Sequence, residues 1–533
     1  MGTERVLIGL DIGNTNLKAI AFTPSGDVIA STSLSTREVK GATVHIPPLH
    51  LEMLIDPVLL LNAIQTLIGD LSANLERIAT HASVRAIAVT GMGGPMVALD
   101  QQNVPVYPVI SLWPIDVQET VLADRDKEFY EVTGYHPHNS PFATVAWLAQ
   151  HDPSRFRRVT QILPVVSYVT QALSGVAVCD PSLASGTGIW DQGSGHWARE
   201  IISAAAVSPD CFPPVTSAGT LIGPLRSSVA SRTGLSETTL VAVGGHDYLC
   251  AAGALGITKP GTMLNMLGTY EILATPHRSA PVVQPSDVDL IDDTHVYPKM
   301  RALMFQVIGG GHLEWLRHML TGGLDEPASL RQWHQILARS AQIRDEDMAN
   351  LVFAPFLFGR FFPERCIHPH GALLGLSERH GPEHVARAMI DALSYVSMEA
   401  VKTLEAIQGE DITKIIVTGG GTQNALWVQR KADFLQTPLL VPYVTDTSAL
   451  GAALAAGIAV GVYTDWDQAA RTLAIPWAEI APGPPVDRQY LDQFIRWDDV
   501  SPNACAHTVD LSRRIAQEIT TQAHTRHMPA TGA

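Results

Sequence analysis

The chain has 533 residues, 46% of them hydrophobic, too many for one core, so two domains of about 250 residues each are expected. Lys+Arg number 36 and Asp+Glu 52, a formal net charge of −16 that argues against nucleic acid or an anionic membrane as partner. Five cysteines, Cys179, Cys211, Cys250, Cys366 and Cys505, are scattered and lack C-x-x-C spacing, so a reducing, cytoplasmic compartment is expected.

The N-terminal apolar run is interrupted by Glu4, Arg5 and Asp11, which excludes the apolar region of a signal peptide. Ile8 to Ile20 reads as two β-type runs joined by Gly13-Asn14-Thr15-Asn16, and Met263 to Leu273 repeats the pattern around Gly268-Thr269. In such a hairpin glycine lets backbone amides approach an anion and threonine adds a hydroxyl donor, which is phosphate-binding chemistry. Pro57 to about Ala82 predicts a helix, and Val84 to Thr90 a strand ending at Gly91. Phe142 to Gly175 reads as mostly helical with breaks at Pro153 and Pro164.

Val241 to Tyr248 and Lys414 to Asn424 are short buried-type strands ending in consecutive glycines, where α/β sheets hold ligands against a helix N-terminus. Between them, Val385, Met389, Ala392, Val396, Ala400 and Leu404 recur with helical period. Helix Ala425 to Gln436, strand Leu439 to Pro442 and helix Ser448 to Ala459 continue a βαβ pattern around a mostly parallel sheet. The uncharged stretch Ser448 to Tyr463 is shorter than a bilayer span and reads as a tightly packed helix. A domain boundary is expected near Gly256 to Gly261, and residues 524–533 read as a loose tail.

In these motifs, and in their order, the chain resembles the FGGY family of carbohydrate kinases, of the actin-like, ribonuclease-H-like ATPase fold, from about Arg5 to about Asp498. The resemblance implies an α/β protein of two such domains, with mostly parallel mixed sheets flanked by helices and an active-site cleft between them. Residues 1–256 would carry the sugar site, the first phosphate motif and the catalytic aspartate. Residues 257–498 would carry the second phosphate and adenosine motifs, and 499–533 would form a partly disordered extension.

Residue by residue, it implies a first phosphate motif at Asp11, Gly13, Asn14, Thr15, Asn16 and Lys18, and a second at Gly268 and Thr269. Gly310 and Gly311 are similar to the family's glycine turn beside the nucleotide phosphates, and Gly420, Gly421 and Asn424 to its adenosine motif. Asp247 stands where the family has its catalytic base, and Asp11 and Asp247 would hold Mg²⁺. Asn14 departs from the hydroxyl residue usual in the family. Met92, Gly93, Trp113, Asp116, His246, Asp247 and Tyr248 are the expected carbohydrate contacts.

The residues have plainer readings too. Asp247, after glycines at a helix start, reads by itself as an N-cap. A carboxylate such as Asp11 between apolar strand residues needs a cation or hydrogen bonds to offset its desolvation, and turn amides alone are the alternative. Lys18 either approaches phosphate or faces solvent. His380-Gly-Pro-Glu-His384 has the spacing of a zinc peptidase, but Pro382 at the first helical position keeps the two histidines off one helical face. His368 and His370 flank Pro369 in what reads as a surface loop.

Similar xylulose kinases carry Gly-Gln-Met-His-Gly where this chain has Gly91-Met-Gly-Gly-Pro95, and Trp113 and Asp116 are spaced three apart. A site without those polar side chains is expected to prefer a ketose or polyol other than D-xylulose. In the alternative, Met92 to Pro95 only packs a turn, and His246, Tyr248 and Trp113 read the sugar. The expected activity is ATP-dependent phosphorylation of a small ketose or polyol with Mg²⁺, by a monomer or homodimer. A non-catalytic regulatory protein that binds sugar or nucleotide is the alternative.

Overall fold

The computed structural model describes residues 4–78, 82–278, 288–348, 350–360, 362, 371–444 and 446–494. Cys366, Cys505, the loop of His368 and His370, and the extension 499–533 with its tail lie outside the described residues.

The first half opens with β1 (Glu4–Ile12), β2 (Asn16–Phe22) and β3 (Val28–Ser35), an antiparallel meander with the first hairpin tip between β1 and β2. Helix α1 (Pro57–Ile78) buries Leu60, Ile64, Leu67, Leu71 and Leu75 against this meander. By length and composition alone α1 could cross a membrane, but its buried apolar residues form a stripe turned to the sheet, while Val58, Leu59 and Ile78 are exposed. β4 (Ala82–Gly91), β5 (Leu221–Pro224) and β6 (Leu240–Ala242) complete a sheet of order β5-β6-β4-β1-β2-β3, and α2 (Asp247–Ala254) follows β6.

The second half repeats the scheme. β7 (Thr262–Leu267), β8 (Tyr270–His277), β9 (Ile291–Thr294) and β10 (Arg301–Ile308) are followed by α3 (Gly310–Leu320) and α4 (Pro382–Gln408). Then come β11 (Lys414–Thr418), α5 (Ala425–Leu435), β12 (Leu439–Pro442), α6 (Thr447–Ala459) and β13 (Trp477–Ile480). The sheet order is β9-β10-β8-β7-β11-β12-β13. The run β3-β2-β1-β4-β6 in one sheet thus matches β10-β8-β7-β11-β12 in the other, and α2 corresponds to α6.

Two expectations need correction. Parallel pairing is confined to β1–β4, β4–β6, β7–β11 and β11–β12, and the other neighbours in both sheets are antiparallel. The sheets are therefore mixed but not mostly parallel, because tight hairpins can join only antiparallel strands. Within 142–175, a strand at Gln161–Pro164 pairs with Met96–Leu99, and Pro164 ends that strand instead of breaking a helix. Four residues are too few to show a period against the helices on either side.

Helix α6 ties the halves together. Every residue from Thr447 to Gly457 is buried, and the helix lies against β1, β4 and α2 of the first half. A Cβ on Gly9 would fall 1.8 Å from the Ala449 carbonyl oxygen, and one on Gly451 would fall 2.1 Å from that of Cys250. The Ala/Gly composition of this stretch is what lets backbones approach so closely.

Candidate active site

The parallel strands β1, β4 and β6 end side by side. Asp11 lies opposite Thr90 of β4 and Lys18 of β2, and Gly91 bridges to His246 just past β6. Thr90 Oγ1 donates to the Gly245 carbonyl at 2.7 Å. A Cβ on Gly244 would sit 1.9 Å from the Val89 carbonyl oxygen, so this glycine lets the chain after β6 lie against β4, while one on Gly245 would meet Val296 at 2.6 Å. Asp11 and Asp247 are brought to one place by this strand arrangement.

Asp247 is the first residue of α2, with His246 as the cap, so the N-cap reading of Asp247 is corrected. Its carboxylate accepts from the Tyr248 amide at 2.6 Å and lies 3.5 Å from His246 Nε2. Burial holds its carboxyl above the usual range, with His246 and the Tyr248 amide opposing. Asp11 Oδ1 is buried without a hydrogen-bond partner. Burial first, then the neighbouring Asp247 carboxylate, push the Asp11 carboxyl up to about 8, with Lys18 opposing and Asp446 adding to the rise. Lys18 is partly exposed and pairs with Asp446 of the second half.

Asp446 was not singled out from the sequence. It caps α6, so it stands at the helix start after β12, where Asp247 stands after β6; the internal duplication was the signal that could have found it. Three carboxylates with one ammonium and an orphaned carboxylate oxygen fit a divalent cation, and Asp11 and Asp247 are the residues that would hold it.

The hairpin tips face one another. Asn14 and Thr15 of the first and Thr269 and Tyr270 of the second line a cavity of about 460 Å³ between the halves. The first tip is held by the Gly13 amide donating to the Asn16 carbonyl at 3.1 Å and by Thr36 Oγ1 donating to the Gly13 carbonyl at 2.8 Å. The amides of Gly309, Gly310 and Gly311 donate to the carbonyls of Thr269, Gly268 and Thr269 at 3.1, 2.9 and 3.1 Å. Gly310 and Gly311 thus reach the second tip, but their amides are taken by it. Gly421 packs on Leu267 at the end of β7, while Gly420 borders open space. Asn424 caps α5, its side chain accepting from the Trp427 amide at 3.2 Å.

The expected carbohydrate contacts divide. A Cβ on Gly93 would fall 2.3 Å from His246 Nδ1, and one on Gly94 2.6 Å from the Pro141 ring, and Met92 is buried. The Met92 to Pro95 turn is therefore close-packed, with the imidazole in the space beside Gly93. Tyr248 is fully buried and donates to Asp293 Oδ2 at 2.7 Å, so it stands behind His246 and does not face a substrate, contrary to expectation. Trp113 is buried with an unpartnered Nε1, and exposed Asp116 accepts from the Gln118 amide at 2.9 Å, capping a turn.

Asp293 of β9, absent from the sequence reading, also accepts from Tyr135 at 2.9 Å and Ser185 at 2.6 Å. Its strand carries two consecutive acids, Asp292 and Asp293, and no motif marked either. The His380 and His384 Nδ1 atoms accept from the Ser377 and Gly381 amides, with the helix starting at Pro382, so the zinc motif lacks its helical context as expected.

Two sheets of one topology, joined through α6 and opposing two glycine hairpins across a cleft, define the actin-like phosphotransferase architecture. The sequence matches the FGGY family of carbohydrate kinases, N-terminal domain, over residues 6–256 and C-terminal domain over 264–460. The chain belongs to this family and is a carbohydrate kinase. It is 26% identical to an autoinducer-2 kinase of Enterobacter sp. (strain 638), covering 93% of both chains. It is 24% identical to a xylulose kinase of Staphylococcus xylosus over 85% of this chain and 90% of that one. The crystal structure of xylulose kinase from Rhodospirillum rubrum superposes with a TM-score of 0.77 at 25% identity, covering 93% of this chain and 99% of that one.

Proposed function

We propose that the protein transfers the γ-phosphoryl group of ATP to a hydroxyl of a small ketose or polyol in the cytoplasm, with Asp247 as general base. The coupling of Asp11 and Asp247 at the ends of β1, β4 and β6 carries this reading. The hydroxyl oxygen attacks the γ-phosphorus, the bond to the ADP oxygen breaks in line, and the hydroxyl proton passes to the Asp247 carboxylate. A carboxyl held above its usual range is the stronger base for that proton. Mg²⁺ at Asp11 and Asp247 would neutralise charge on the phosphates. Thr15 and Thr269 offer hydroxyl donors from opposite sides of the cavity, and Gly420 leaves room for the adenosine.

The two halves are braced by Asp289, which accepts from Asn139 at 3.0 Å and pairs with His138, and by Asp293 on Tyr135. Closure of the cleft around these braces would exclude water from the phosphates. Relatives named for xylulose and for autoinducer-2 leave the acceptor open. The close-packed Met92 to Pro95 turn has no side-chain donor to offer, which supports an acceptor other than D-xylulose. An ATP-consumption assay over a panel of ketoses and polyols tests this: some member should be turned over, and D-xylulose should not lead. No turnover of any member would refute the kinase reading of this site, and D-xylulose tenfold ahead of all others would refute the acceptor reading.

A further inference from the structure

Exposed Leu112 borders the cavity between the hairpin tips and also a second cavity of about 460 Å³. The walls of the second include Trp113, Ile115, Val117, Pro137 and Ala143. Its hydroxyls are already committed: Ser140 Oγ donates to the Thr187 carbonyl at 3.0 Å and Thr144 Oγ1 to that of Ser111 at 2.8 Å. Asp116 and Gln118 reach the cavity with exposed side chains, and the Trp113 indole, only 6% exposed, has an Nε1 with no acceptor. A buried indole N–H ordinarily finds a partner, so one without any marks a place where an acceptor belongs. His138 on the same wall pairs with Asp289, which lines the first cavity from the second half of the chain, so the two cavities share a boundary.

We propose that this second cavity takes the non-reacting end of the acceptor, and that the acceptor is a polyol or ketose carrying an alkyl or aryl group through an ether or glycosidic oxygen. That oxygen accepts from Trp113 Nε1, and the apolar group lies against Ile115, Val117 and Ala143. The assignment rests on the kinase reading above. A bare pentulose turns hydroxyls to every side, and those buried against these three residues would lose water without gaining a partner. An alkyl or phenyl group gains by the same burial.

The test is ATP consumption by the full chain with Mg²⁺ over pentitols and pentuloses and their mono-O-butyl and mono-O-benzyl ethers. At least one ether should exceed its parent in kcat/KM by about tenfold or more, chiefly through KM. Ala143→Leu, which narrows the cavity, should abolish that advantage, the ether's kcat/KM falling by more than its parent's. Saturation-transfer NMR on the unsubstituted protein does not depend on how the variant folds, and the benzyl protons should be saturated more strongly than the polyol protons. Parents turned over as well as every ether, with benzyl protons unsaturated, would overturn the cavity assignment and leave the kinase reading intact. Benzyl contact without turnover of any compound would uphold the assignment and overturn the kinase reading.

Discussion

Each half of the molecule buries a carboxylate beside its glycine hairpin, and the two are treated in opposite ways. Glu271 of β8 is fully buried, and its Oε1 accepts from Lys431 Nζ at 2.5 Å, Asn265 Nδ2 at 2.8 Å and Ser397 Oγ at 2.9 Å. Lys431 is itself fully buried, so the pair is a fixed internal charge compensation. Asp11 of β1 has no such arrangement: its Oδ1 is unpartnered, as Glu271 Oε2 is, but Asp247 and Asp446 crowd it and Lys18 is shared with Asp446. One topology thus uses a buried acid for structure in one half and leaves one without a fixed partner in the other. A buried charge without a fixed partner costs stability, so its retention points to chemistry.

If chemistry belongs to the first cluster, Asp247→Asn should lower kcat by about 10²–10⁴ while nucleotide affinity and the unfolding transition stay nearly unchanged. Steady-state kinetics within tenfold of the parent would remove Asp247 from the role of base. If stability belongs to the second cluster, Lys431→Met should cost about 3–5 kcal/mol in denaturant unfolding, because it leaves Glu271 buried and unpaired. A loss no larger than that of an exposed lysine would dissolve the contrast.

The pH response sharpens it further. Burial raises Asp11 to about 8 and Asp180 to about 6, and also raises Asp247 and Asp293, all above the usual carboxylate value of about 4. At pH values between these limits the folded, metal-free protein holds protons that the unfolded chain has released. Its unfolding free energy should therefore fall as pH rises from about 5 to about 8. Asp11→Asn should flatten that fall, measured by thermal unfolding across the range, and an unchanged slope would mean that Asp11 is not among the groups responsible.

Much of this was legible in the chain. The twin Gly-Thr hairpins announced the duplication, and glycines 244 and 245 announced a strand end turning into a helix N-terminus. What stayed hidden depended on contacts between distant segments. Asp446 follows no glycines and gains meaning only when Lys18 meets it across the halves. Tyr248 read as a sugar contact because sequence position could not show that its hydroxyl turns back to Asp293. The Met92 to Pro95 turn read as an altered binding loop, and sequence position did not show that its glycines also answer to the His246 ring and Pro141 packed on them.

The central claim is that the Asp11 carboxylate is left unneutralised for a divalent cation at the phosphoryl-transfer site. Electron paramagnetic resonance of Mn²⁺ titrated into the protein with ADP measures this without turnover. The account predicts a bound Mn²⁺ whose affinity drops on the order of 10–100-fold in Asp11→Asn, with no loss of unfolding free energy near pH 8 in the metal-free state. Equal Mn²⁺ affinity in the parent and in Asp11→Asn would contradict it.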